Sequence, residues 1–142
     1  FFERFGWVRA LMDQNIAEGK QKGFTTTILG RRRPIPELQS SDPTQRGFGE
    51  RMAVNSPIQG SAADIIKVAM IAVSRRLQAE LPSTKMILQV HDELIFETPE
   101  EEVEQVERLV KAEMEAAGAR LSLSVPLKVD LGVGKNWREA HP

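Results

Sequence analysis

The stretch KMILQVHDELIFET, Lys85–Thr98, decides the fold. Two short runs rich in apolar residues, Lys85–His91 and Glu93–Thr98, follow each other with almost nothing between them. A chain written this way folds back on itself, so a tight antiparallel hairpin is expected with its turn near His91-Asp92. Helical patterns flank it. Upstream, Ile65, Ile66, Ala69, Val73 and Leu77 recur on one helix face, and the pattern stops before Pro82. Downstream, Thr98-Pro99-Glu100-Glu101 offers a cap residue, a proline at the first helical position and an acid three residues after the cap. The helix it opens should bury Val103, Val106, Leu109, Val110 and Met114 and end at Gly118. Residues 121–133 then alternate Leu121, Leu123, Val125, Leu127, Val129, Leu131 and Val133, the period of a strand, with Pro126 putting part of it at an edge. The second half therefore reads as α+β, an antiparallel sheet packed on helices.

Working back toward the start, residues 2–22 carry Phe2, Phe5, Val8, Leu11, Met12 and Ile16 at helical spacing, with Gly23 as the terminating residue. Phe24–Leu29 is rich in β-branched residues. Gly30, Arg31, Arg32, Arg33 and Pro34-Ile35-Pro36 follow, so a hairpin with a weak second arm is expected. Residues 39–47 are polar and loop-like and make the best candidate for a subdomain boundary. Residues 44–55 look helical, Pro57 should break or kink the run at Ser56, and Ser61-Ala62-Ala63-Asp64 has the pattern of a capping box.

The 142 residues suit one domain or a large piece of one, and the 41% apolar and 27% charged content is that of a globular chain. With no cysteine, disulfides, thiolate metal sites and cysteine nucleophiles are excluded. No apolar run is long enough to span a membrane, and Phe1-Phe2-Glu3-Arg4 has no signal-peptide pattern; a cytoplasmic location is the expectation. Net charge is -1, but it is unevenly spread. Residues 1–60 hold nine Lys/Arg against six Asp/Glu, whereas residues 92–115 hold two against ten. A polyanion should meet the first part and avoid the second.

Three clusters carry chemistry. Asp92 and Glu93, beside His91 at a hairpin tip, suit a hard divalent cation such as magnesium, which takes oxygen ligands. Strand alternation would turn the two carboxylates to opposite faces, so one of them at most should be a primary ligand, unless the turn bends both inward. A second strong carboxylate is not evident in the chain, and a polar turn with a capping Asp explains the same residues. Arg51, Asn55 and Gln59, spaced four and four, would share a helix face as a row of hydrogen-bond donors if the kink at Pro57 is mild. The minor groove of duplex DNA presents an acceptor at every base pair, which such a row could test without reading sequence; a solvated polar face is the plainer alternative. Arg31, Arg32 and Arg33 in the first hairpin could contact phosphates or simply face water. His141 receives no role. Ser61 lacks a histidine–acid partner pair for a hydrolase triad.

Four ordered stretches together resemble one family. QVHDELIFE (Gln89–Glu97), ERMAVNSPIQGSAADIIKVAM (Glu50–Met70), GFTTTILGRRRPIP (Gly23–Pro36) and VPLKVDLGVGKNW (Val125–Trp137) are similar to segments of the family A DNA polymerases, the bacterial DNA polymerase I family, in that family's order and spacing. The resemblance implies a right-hand polymerase, with residues 1 to 45 the end of the fingers and residues 46 to 142 the C-terminal half of the palm. It implies that Asp92 binds the catalytic magnesium ions, that Glu93 assists and that His91 lies near the primer terminus. It implies that Arg51, Asn55 and Gln59 touch the primer–template minor groove. Primer–template DNA and deoxynucleoside triphosphates are the implied partners. The family's other metal-binding aspartate and its nucleotide-gripping fingers helix have no match here. They would belong to an N-terminal portion of the polymerase, itself an expected partner, and the chain alone is expected to be inactive. Phe5-Gly6-Trp7 departs from the family's aromatic–proline pattern. Two other readings stand beside this one: a non-catalytic module that binds DNA or docks to complete a polymerase, and an unrelated metal-dependent phosphohydrolase resting on the Asp92 cluster alone.

Overall fold

The computed structural model describes residues 4–141. Packing divides the chain into two units, with the division between Asp64 and Ile65. Among the described residues it holds two two-stranded antiparallel sheets set among helices, an α+β chain.

In the first unit, α1 spans Gly6–Lys22. Phe2 lies outside the described residues, and the face expected to bury a core is only partly covered: Phe5, Val8, Met12 and Ile16 are half-buried, Leu11 is exposed, and the one buried residue of the helix is Gly19. Gly23 ends the helix with φ 78°, a left-handed conformation that glycine adopts without the Cβ clash, and its N–H donates to the Gly19 carbonyl. The chain turns directly into β1, Phe24–Thr26, which pairs with β2, Arg32–Pro34, in the register Thr25 opposite Arg33. The expected hairpin is present, but Ile28 and Leu29 form its turn instead of extending its first arm. A 3-10 turn, Pro36–Gln39, brings Ile35 and Leu38 onto Ala53, with Ile16 and Met52 packed around them. Ser40–Asp42 link this turn to the next helix, so the polar break at 39–47 falls inside the first unit.

That helix, α2, runs unbroken from Pro43 to Glu80. Of the break or kink expected at Ser56, a break does not occur, and no fresh helix starts at Ser61. Proline inside a helix costs about 3 kcal/mol and glycine about 1 kcal/mol, so Pro57 and Gly60 argue against continuity on propensity alone. Tertiary packing overrides them: Ala53, Ser56 and Asp64 are all buried. Ser61 caps nothing; its hydroxyl donates to the Pro57 carbonyl at 2.5 Å, one turn back.

In the second unit the C-terminal end of α2 supplies Val73 and Leu77, and Leu81 just after it joins them, in a core completed by Val106, Leu109 and Val110. These last three belong to α3, Val103–Arg120, which follows a 3-10 turn at Glu100–Glu102. The expected Thr98 cap is not used, because its hydroxyl lies 2.7 Å from that of the buried Thr84. β3, Lys85–Val90, and β4, Glu93–Glu97, form the expected hairpin, and Met86 and Phe96 pack on the core. The pairing shifts register between Met86 and Leu88, so Ile87 is an extra residue of the kind that bends and twists a strand.

Two expectations for the end of the chain need correction. Gly118 does not end α3; it lies inside the helix, buried under Leu127 and Leu123. Residues 121–133 are not a strand. A strand needs a hydrogen-bonding neighbour, and the Val129 N–H goes to the Glu115 carboxylate of α3 at 3.2 Å instead. The alternation survives only in part: Leu121, Leu123, Leu127 and Val129 are half-buried while Ser122, Ser124, Lys128 and Asp130 are exposed, but Val125, Leu131 and Val133 are exposed too. A short helix, α4, Trp137–Ala140, closes the chain. No helix among the described residues is long and apolar enough to cross a membrane.

Candidate nucleic-acid and carboxylate sites

The tip of the β3–β4 hairpin carries His91, Asp92 and Glu93, all exposed. His91 has φ 54°, in the left-handed region, which costs an L-residue roughly 1–2 kcal/mol. The Gln89 side chain donates to the His91 carbonyl at 3.2 Å and steadies the turn. Glu93 opens β4 opposite Val90, while Asp92 sits in the turn itself. Strand alternation therefore does not govern the two carboxylates as a pair. Glu93 is engaged: its Oε2 lies 2.9 Å from Nε2 of His141. The His141 ring stacks on Trp137 at 4.5 Å, and the hydrogen bond with Glu93 raises the imidazole above its ordinary value. The Asp92 carboxylate has no hydrogen-bonding or ion-pair partner among the described residues.

A magnesium ion needs about six oxygens in near-octahedral array. Among the described residues no group of three or more His, Asp or Glu side chains converges to hold a metal ion. Asp92 and Glu93 are thus at most part of a site, and these residues alone do not fit one.

The donor row lies in the first unit. Arg51, Asn55 and Gln59 are exposed at four-residue intervals on α2, which passes through Pro57 without a break. The Arg51 guanidinium stands 5.8 Å from the centre of the Phe48 ring, itself half exposed, an arrangement that holds the cation at the surface.

The three arginines of the first hairpin separate in role. Arg33 is exposed on β2. Arg32 lies over the Phe24 ring, 4.7 Å from its centre. Arg31 is turned onto α2, where its guanidinium donates to the Gly60 carbonyl at 3.3 Å and to the carboxylate of Asp64. Burial on its own would raise the Asp64 carboxyl. Hydrogen bonds from Thr27 and Arg31, with the Arg31 charge, outweigh it and hold the group below the usual range. Ser61 is absorbed by the same junction, accepting the Ile28 N–H at 2.9 Å.

Three participants escape the sequence reading. Asp64 could have been found, since Ala53, Ser56, Gly60 and Asp64 fall on one helical face, and an acid there needs a cation. Glu113 lies in the acid-rich stretch 92–115, yet it is buried and paired with Arg76 and Arg120. His141 meets Glu93 across 48 residues, and no local pattern announces that contact.

Comparison with known proteins places the chain in a family. The family model described as DNA polymerase family A matches residues 1–139. DNA polymerase I of Bacillus subtilis is 51% identical over 140 residues, which cover 99% of this chain and 16% of that protein. DNA polymerase I of Mycobacterium leprae is 49% identical, again over 99% of this chain and over 15% of its own length. The chain thus spans about one sixth of such relatives. Among solved structures, the POL domain of Pol1 from M. smegmatis, in complex with DNA primer-template and dNTP, superposes with a TM-score of 0.92 at 47% identity. It covers 98% of this chain and 24% of that one.

Proposed function

Because the chain belongs to DNA polymerase family A, we propose that it forms part of a DNA-directed DNA polymerase, in which a primer 3′-hydroxyl attacks the α-phosphate of an incoming deoxynucleotide on a DNA template. The observation that carries this reading is the exposed donor row Arg51–Asn55–Gln59 on an uninterrupted helix, in a chain about half identical to bacterial DNA polymerase I. In the proposed arrangement, residues 1–45 end the fingers and residues 46–142 form the C-terminal half of the palm. The row donates to minor-groove acceptors of the newest base pairs, where every pair offers one. Arg32 and Arg33 reach backbone phosphates, which fix register without reading sequence.

Asp92 is the carboxylate this chain gives to a magnesium site, with Glu93 beside it and His91 near the primer end. The remaining ligands and the grip on the nucleotide come from polymerase residues outside these 142. Magnesium, when bound in such a site, lowers the pKa of the attacking hydroxyl and offsets charge at the transferring phosphate. The chain by itself does not extend a primer and acts at most as a DNA-binding or docking piece; the lack of a converging group of metal ligands among the described residues favours that reading of the isolated chain. Primer extension by the 142-residue chain alone, and by a complete polymerase containing it, tests both statements. Template-dependent incorporation by the pure chain would contradict the second.

A further inference from the structure

We infer that Arg31 and Asp64 are positioning residues for the minor-groove row, and that Arg31 acts through α2 and not on DNA. The inference rests on the proposed role of that row.

The argument begins with the weakest part of α2. Pro57 has no N–H, so the Ala53 carbonyl loses its helical donor. Gly60 is three residues further on, and Gln59 stands between the two. A helix with both residues in one turn has little reason of its own to hold Gln59 in line with Asn55 and Arg51.

The hairpin tip supplies the missing rigidity from outside the helix. The Ile28 N–H donates to the Ser61 hydroxyl at 2.9 Å, and that hydroxyl donates to the Pro57 carbonyl at 2.5 Å. Arg31 reaches the Gly60 carbonyl at 3.3 Å and the Asp64 carboxylate. Thr27 packs where a Gly60 side chain would stand and accepts the Arg31 N–H at 3.2 Å. Pro57, Gly60, Ser61 and Asp64, on either side of Gln59, are thus braced by one loop, whose own shape is set by the Thr27 N–H donating to the Arg31 carbonyl at 2.9 Å.

Charge decides what Arg31 does. Asp64 is 3% exposed, and a buried carboxylate holds its cation far more firmly than a solvated phosphate competes for it. Both contacts use Nη2, and a phosphate that drew the guanidinium off the helix would abandon Asp64 in the interior. The neighbouring Arg32 and Arg33 carry no such obligation.

The test uses a complete polymerase containing this chain, with Arg31→Ala, Asp64→Asn, the double variant and Gln59→Ala as reference. Positioning predicts that Arg31→Ala and Asp64→Asn each slow extension of matched primer ends by the same factor, on the order of fivefold, with the double variant no worse. Extension from mismatched ends falls less, backbone amides over residues 58–64 exchange faster, and the salt dependence of DNA affinity keeps its slope. A phosphate contact predicts the reverse: Arg31→Ala lowers that slope by about 1, and Asp64→Asn leaves extension intact. That result overturns the inference. If Asp64→Asn fails to fold, the half-exposed Arg31→Ala still separates the two through slope against extension. If Gln59→Ala slows matched extension and the Arg31 and Asp64 variants do not, the inference alone falls. If Gln59→Ala has no effect, the reading of the row falls and takes the inference with it.

Discussion

Arg76 of α2 donates to the buried Glu113 of α3 at 3.2 Å, and Arg120, at the end of α3, donates to the other oxygen of the same carboxylate. Arg76 also holds Glu80 in its own helix, through two hydrogen bonds of 2.7 and 2.8 Å. One carboxylate therefore ties the two main helices of the second unit beside their apolar seam of Val73, Leu77, Leu109 and Val110.

Removing that charge should destabilise the unit and flatten its acid response. The hydrogen bond from Arg120 comes first in holding the Glu113 carboxyl below its usual range; burial opposes it, and Arg76 reinforces it. A group depressed in the folded state adds stability above its unfolded value, about 4.3, and the gain is lost as pH falls through the folded value. Glu113→Gln should cost about 1–3 kcal/mol at pH 7, since both arginines can turn to water. Urea unfolding at pH 7 and pH 3 checks this: the gap between wild type and variant should narrow at the lower pH.

Gly60→Ala should destabilise, although alanine is the better helix former by about 1 kcal/mol. The added Cβ would stand 2.5 Å from Thr27 Cγ2. The expected loss is about 1–3 kcal/mol, the usual cost of overpacking. Thr27→Ser removes that methyl and keeps the hydroxyl that accepts from Arg31. The double variant should therefore recover stability, and equal losses with and without Thr27→Ser would show the clash is not the cause.

In a complete polymerase, Asp92→Asn keeps the side chain's shape and removes its charge. If Asp92 is a metal carboxylate, single-turnover incorporation should fall on the order of 100-fold or more. DNA affinity should hardly move, because phosphate contacts dominate it. Glu93→Gln should be milder. Near-normal incorporation by Asp92→Asn would remove Asp92 from the site.

Alanine at Arg51, Asn55 or Gln59 should slow extension of matched primer ends more than mismatched ones, equally on all four template bases. Mispairs displace the groove acceptors, so there is less to lose. Each lost bond is worth roughly 0.5–1.5 kcal/mol, more for a charged donor, so Arg51 should matter most. An effect confined to one template base would mean direct base reading.

The elements that could be read from sequence are those whose signal is local. The β3–β4 hairpin follows from two apolar runs meeting at His91-Asp92, and the α3 stripe from Val106, Leu109 and Val110. Failures came where distant residues decide. Pro57 reads as a break until the packing of Ala53, Ser56 and Asp64 is counted. The alternation at 121–133 marks an inward face only at Leu121, Leu123, Leu127 and Val129, and which hydrogen bonds an extended segment makes depends on its neighbours, as Val129 with Glu115 shows. The site residues follow the same rule. Spacing placed Arg51, Asn55 and Gln59 together, whereas the engagement of Arg31 by Asp64 and of Glu93 by His141 joins residues 33 and 48 positions apart.

The left-handed backbone at His91 narrows the substitutions that position can accept, whatever the imidazole does. Asparagine and glycine tolerate φ 54°, while valine or isoleucine would reshape the turn and carry Asp92 with it. Drift at this position is therefore steered toward a few small or amide side chains by steric demand alone. An inactive valine there would say nothing about the imidazole, whereas an inactive asparagine would.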